Sequence, residues 1–202
     1  MEISYQRGNL RVAVLSHAAA RLEEVGFDRL SLREIARTLG VSHAAPGKHF
    51  PTRAALQEAL VVYGLDELAD HLDGERSGDF AYELRAFVSD YVRWAADHPA
   101  LAGMILARTS GPQKGTAEIR EANQRAYGGV QAMLRKAREE GVILSADQDR
   151  VDMAILAVIQ GLTAMASQGA LGGRPLDDVI DGTVQTLLYG LVPRAAAGLQ
   201  GG

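Results

Sequence analysis

No cysteine occurs among the 202 residues, which removes disulfides and thiolate metal ligands and fits a reducing cytoplasm. Aromatic residues make up only 5% of the chain, with one tryptophan, so the core must be largely aliphatic. There is no run of eighteen apolar residues, and no membrane partner is expected. The start, Met1 to Asn9, is polar and lacks an apolar signal core, so nothing there is expected to direct export. Convincing strand alternation and internal repeats are also missing. Catalytic signatures are absent too: His17, His43, His49, His71 and His98 show no metal-ligand spacing. Neither a Gly-x-Ser-x-Gly elbow, a phosphate loop nor a dinucleotide fingerprint is present. Asp97-His98 before Pro99 reads as a helix end, where a cationic ring favours the dipole. The expectation is a non-enzyme without metal or cofactor.

What is present is ordinary globular material, 47% hydrophobic and 23% charged. The net charge of −4 hides an asymmetry. Residues 1–56 hold eight Lys/Arg against five acids, a balance of +3, which leaves −7 on the remainder. A small basic head on an acidic body suits contact with phosphate at one end only.

Helical periodicity runs through the chain. Leu15, Ala18, Ala19, Leu22 and Val25 share a face of a first helix over about 9–25, stopped by Gly26. Ser31-Leu-Arg-Glu34 is a capping box, and Leu32, Ile35, Ala36 and Leu39 form the apolar face behind it until Gly40. Ser42 is expected to cap a short third helix. Thr52 caps a long one over 53–72, followed by helices from Phe80 to Pro99 and over 99–107. A Gly/Pro loop, Ser110–Gly115, leads to helices over 116–140, 147–168 and 176–191, and Pro193 closes the last. The expected fold is all-α, with about nine helices. It divides into a helix-turn-helix domain over 1–52, a helical domain for ligand binding and dimerisation over 53–194, and a frayed tail over 195–202.

Three helices, the second and third joined by a tight turn, make a helix-turn-helix arrangement. Ala36 must be small where the next helix crosses, Gly40 turns the chain, and Val41 plugs the gap between helices. A helix as short as the third survives only by docking, which leaves its outer face free for a major groove.

Residues 9–56 resemble the DNA-binding domain of the tetracycline-repressor (TetR) family. The pattern is carried by Gly26, Ser31, Ile35-Ala36, Gly40-Val41-Ser42, His49-Phe50, Arg53 and Leu56. Tyr91 to Pro99 resembles the middle helix of many regulatory domains of that family more loosely. The resemblance implies a homodimeric regulator, most simply a repressor that binds a palindromic double-stranded operator. Position by position, Ser31 offers its hydroxyl and helix-terminal N–H groups to phosphate. Arg33 can grip a guanine edge or a phosphate. Ser42, His43 and Ala44 open the recognition helix, with Ala44 suited to a thymine methyl. Lys48, His49 and Arg53 are expected at phosphates, and Arg7 and Arg11 reach from the first helix. Arg37 suits a solvated face equally well, and His49 might simply pack. One departure stands out: relatives usually carry Tyr three residues before Phe50, where this chain has Gly47, preceded by Pro46. Pro46 removes a donor and Gly47 deletes a contact.

For the larger part, the resemblance implies a bundle around a small-molecule effector, dimerising through its last two helices. Phe87, Tyr91, Trp94, Met104, Tyr127 and Met133 are the candidate pocket residues, Tyr91 and Trp94 first because each has a polar tip. All six are equally compatible with plain core. Ile155, Val158, Leu162, Met165, Val184, Leu187 and Leu188 are the candidate dimer residues, with Gly161 allowing close approach, and filling the monomer's own core is the competing use. A different class of reading is a small-molecule-binding helical protein whose head, weakened by Pro46-Gly47, is vestigial.

Overall fold

Every regular element among the described residues is helical, in the order the periodicity sets. The computed structural model describes residues 7–74, 78–109, 115–143 and 148–190, the side chains of residues 7–9 and 148 excepted. The helices are α1 (Arg7–Val25), α2 (Leu32–Thr38), α3 (Ala45–His49), α4 (Arg53–Leu72), α5 (Phe80–Asp97), α6 (Pro99–Thr109), α7 (Ala117–Glu139), α8 (Gln148–Ser167) and α9 (Leu176–Tyr189), with a 3₁₀ turn at Phe27–Arg29. The Arg7 side chain, most of the Ser110–Gly115 loop, Pro193 and the 195–202 tail lie outside the described residues.

Local chemistry fixes these boundaries. The Ser31 hydroxyl accepts the Glu34 N–H at 3.4 Å, and the Thr52 hydroxyl accepts that of Ala55 at 3.0 Å. Gly40, at φ +65°, ends α2 so that the Val41 N–H reaches back to the Ala36 carbonyl at 3.0 Å, a closure that needs a left-handed residue. Pro99 occupies the first position of α6, where its missing N–H costs nothing.

The chain forms two compact units, Met1–Gly74 with Arg93–Ala132, and Glu75–Val92 with Met133–Gly202. Their boundary falls inside α5 and α7, and the functional division at residue 52 does not coincide with it. In the first unit, Val14, Ala18 and Leu22 of α1 are fully buried or nearly so, as are Leu60, Val61, Leu65 and Leu68 of α4 and Leu101 and Ile105 of α6. Helices α4 and α6 cross closely at Gly64, where an added Cβ would sit 2.7 Å from Leu101 Cγ. In the second unit, Leu84 and Val88 of α5, Ile159 of α8 and Ile180 of α9 are buried. There Arg85 is bonded to Asp181. That hydrogen bond is the main reason the Arg85 guanidinium holds its proton even more firmly than usual.

Gly64 gives a clear test of this packing. Gly64→Ala gains up to about 1 kcal/mol of helix propensity, but Leu101 is 2% exposed and has nowhere to move, so overpacking of about 1–3 kcal/mol outweighs it. Thermal denaturation should show a lowered midpoint for Gly64→Ala. Gly103→Ala on the open face of α6, where a Cβ meets nothing within 4 Å, should raise it.

Candidate functional site

The head is assembled on α1. Helix α2 has seven residues and α3 five, too few for either to hold together alone. Each is fixed by burying one side: Ile35, Ala36 and Leu39 from α2, Pro46 from α3, and Phe50 at the end of α3. Those burials turn the opposite sides outward. Arg33, Ser42, His43, Ala44 and Lys48 are exposed, and Ser31 and His49 are half-exposed.

The recognition helix starts later than the sequence pattern suggests. Ser42 does not cap it: α3 begins at Ala45, the cap position is Ala44, and no side chain bonds there. Pro46 is the physical reason. A helix opened at Ser42 would need the N–H of residue 46 to reach the Ser42 carbonyl, and proline has none. The Ser42 carbonyl instead accepts the Ala45 N–H at 2.9 Å. Ser42, His43 and Ala44 therefore present themselves from a turn ahead of the helix. Gly47 points outward, with nothing within 4 Å of a notional Cβ.

Two arginines assigned to phosphate also have intramolecular work. The Arg11 guanidinium lies 5.7 Å over the Phe50 ring. Arg53 stacks 4.4 Å over Phe27, is bonded to the Phe27 carbonyl and approaches Asp28 at 3.4 Å. That clamp ties the start of α4 to the 3₁₀ turn leading into Ser31. Both side chains remain exposed, so contact with a polyanion is compatible with the clamp.

One link is invisible in the local sequence. The Glu23 carboxylate, from α1, accepts the N–H groups of Ala100 at 2.8 Å and Leu101 at 2.9 Å. It caps the N-terminus of α6, where free amides and the helix dipole favour a negative charge. Glu23 and Ala100 are 77 residues apart, so no spacing rule exposes the pair. Nearby, the His98 ring stacks on Trp94 with centroids 5.0 Å apart, and its Nδ1 lies 2.8 Å from the Trp94 carbonyl. The helix-end reading of His98 agrees with that position.

The candidate pocket residues divide between the units. In the first unit, Trp94 and Met104 are buried and Tyr127 half-buried. Trp94 there lines a cavity of about 190 Å³. In the second, Phe87 and Tyr91 are buried, their rings 6.3 Å apart, and Met133 is half-buried. The Tyr91 hydroxyl accepts from Gln160 Nε2 at 3.2 Å, so its polar tip is engaged inside the unit.

Of the candidate dimer residues, Ile155, Leu162 and Val184 are buried within the second unit itself. Val158, Leu187 and Leu188 are half-buried and Met165 is exposed. The outward face of α8 is instead Met153, Leu156, Ala157, Gly161, Ala164 and Met165, without a charge. Residues 149–167 reach a mean hydropathy of 1.3 and are 22% buried, which by length and composition alone also matches a membrane-crossing helix. An open groove of about 550 Å³ runs between α8 and α9. Gly161 and Gly182 both line it, and a Cβ at either meets nothing within 4 Å.

Comparison with known proteins agrees with this architecture. Residues 14–60 match the family described as bacterial regulatory proteins, tetR family, and residues 84–190 match the tetracyclin repressor-like C-terminal domain. A structure from Rhodococcus sp. RHA1, titled a protein with unknown function, is 32% identical with a TM-score of 0.79, covering 93% of this chain and 97% of that one. A TetR variant from Acinetobacter baumannii AYE, solved in complex with minocycline, is 20% identical with a TM-score of 0.61, covering 92% and 95%. Among curated relatives, the nucleoid occlusion factor SlmA of Salmonella paratyphi A is 23% identical over 176 residues, 84% of this chain and 89% of that protein. SlmA of Idiomarina loihiensis is 35% identical over 68 residues, 34% of this chain and 35% of that protein.

The Glu23 cap is directly testable. Glu23→Ala removes the acceptor of two helix-terminal amides and should cost about 1–2 kcal/mol in denaturant unfolding. Glu24→Ala removes an exposed partner of Arg21 on the same helix and should change stability by less than about 0.5 kcal/mol.

Proposed function

Because the chain belongs to the TetR family of bacterial regulatory proteins, we propose that it is a transcriptional repressor, cytoplasmic and without catalytic activity, which holds a palindromic operator as a homodimer and releases it on binding a small-molecule effector. The head carries this reading. Two helices too short to stand alone are held on α1 by Ile35, Ala36, Pro46 and Phe50, and that docking exposes Arg33, His43 and Lys48 together with the Ser31 helix terminus. Arg33 and the Ser42–Ala44 turn are assigned to base edges. Ser31, Lys48, His49, Arg53 and Arg11 are assigned to the backbone, where such contacts set register.

The homodimer is proposed through α8 and α9. The uncharged face of α8 needs cover, and Gly161 and Gly182 leave room for a partner helix to approach closely. A second copy suits this face better than a bilayer. Asp152 is bonded to Arg138 at 3.0 Å and Gln160 to Tyr91 at 3.2 Å, which holds α8 in the protein. In a dimer, a shift of α4 on effector binding would move the two recognition elements away from a spacing of roughly 34–36 Å, one turn of DNA. Such coupling is typically worth about 1–3 kcal/mol. Phe87, Tyr91, Trp94, Met104, Tyr127 and Met133 remain the residues proposed to meet the effector.

Light scattering on the full chain should give twice the chain mass. Leu156→Glu combined with Met165→Glu should give the monomer with helicity unchanged; a wild-type monomer at micromolar concentration removes the dimer.

Sites selected from a random pool should be two-fold symmetric. On them, Arg33→Ala should lose about 1–3 kcal/mol with relaxed sequence preference, and Lys48→Ala should weaken all sites alike while lowering the salt slope by about 1. Retardation no stronger than that of random DNA at moderate salt would instead favour a small-molecule-binding protein with a vestigial head.

A further inference from the structure

The cavity beside Trp94 has a chemistry of its own. It lies wholly in the first unit, walled by α1, α4, the end of α5 and the start of α6. Its volume of about 190 Å³ equals about six waters at roughly 30 Å³ each, which suits a small ligand. Trp94 and Leu101, 5% and 2% exposed, supply an apolar wall. Glu23 from α1 and Glu67 from α4 supply two carboxylates, and no Lys or Arg is among its described lining residues. The negative charge is felt inside: burial chiefly, and then the charge of Glu67, push the Tyr63 hydroxyl above its usual pKa, while a hydrogen bond with Ser16 works the other way. Glu23 spends one lone pair of each oxygen on the α6 amides, and a carboxylate has about four such sites, so acceptor capacity remains.

We propose that this cavity binds a small primary organic ammonium ion, its charged head between Glu23 and Glu67 and its apolar body against Trp94 and Leu101. Carboxylates, an indole and no competing cation form a lining complementary to an alkyl- or arylammonium, and unfavourable to a carboxylate or phosphate. The guest shares Glu23 with the first amides of α6, so its binding acts on the joint between α1 and α6. The site is separate from operator recognition, and its occupancy is measurable whether or not the chain binds DNA.

Trp94 is the only tryptophan in the chain and serves as the reporter. The full-length protein is titrated at constant ionic strength with 2-phenylethylammonium and, in parallel, with 2-phenylethanol, its neutral counterpart of nearly equal shape. Calorimetry repeats both titrations without relying on emission. A saturable change with the ammonium ion, at least tenfold weaker with the alcohol, is expected. Glu67→Gln should weaken ammonium binding at least tenfold; Glu67 is exposed, so the fold survives, as circular dichroism will verify. Equal affinity for ammonium and alcohol, an unaffected Glu67→Gln variant, or no saturable response at millimolar probe overturns the proposal.

Discussion

The head depends on α1 being buried on two sides. One side accepts α2 and α3, and the other lies against α4 and α6, so Val14, Ala18 and Leu22 serve packing in both directions. Helices of seven and five residues have no stability to contribute by themselves; they borrow it from α1. The Glu23 carboxylate adds direction to this packing. Two charge-assisted hydrogen bonds fix where along α1 the N-terminus of α6 must sit, which a purely apolar contact would leave free to slide. Close crossing at Gly64 and Leu101 limits the same joint from the α4 side. The exposed cations of the head are thus mounted on an element that the rest of the unit holds in one register.

Helix existence and type were legible in the sequence because each helix carries its own stop and start. Thr52 caps α4, Gly40 ends α2 through its positive φ, and Pro99 separates α5 from α6. Six or seven residues of pattern around Gly40-Val41-Ser42 sufficed for the family because each answers a local requirement of the turn. The start of α3 was misread for an equally local reason. Ser42 is a good cap by type, but Pro46 four residues later cannot donate to it. The rule for caps and the rule for proline conflicted, and the hydrogen bond that proline forbids was decisive.

What the sequence withheld is long-range. Nothing near Glu23 marks it as a cap for a helix that starts at Pro99, and nothing near Arg53 foretells Phe27 as its stacking partner. Gly64 did leave a trace, since a glycine within an apolar helical stretch with no stop after it implies a close crossing. For the last two helices, periodicity gave the apolar residues but not their division. Ile155, Leu162 and Val184 face inward and are used up in the unit's own core. Helix α8 is apolar nearly all round, so its outward set of Met153, Leu156 and Met165 has the same composition as its inward set. Pattern alone cannot tell two such faces apart.

That all-round apolarity bears on the charge asymmetry as well. With −7 outside residues 1–56, like charge would oppose the approach of two acidic bodies unless the meeting surface carries none. The outward face of α8 meets that condition from Met153 to Met165, and its Ala and Gly positions let helix backbones come close, where dispersion contacts are densest. The acidic excess is then displaced to the remaining surface, and the basic excess stays on α1 to α4, where Arg33 and Lys48 stand clear of carboxylate partners. Separation of charge by surface lets one small chain be drawn to a polyanion at one end and to its own copy at the other. Each attraction uses residues that the other leaves alone.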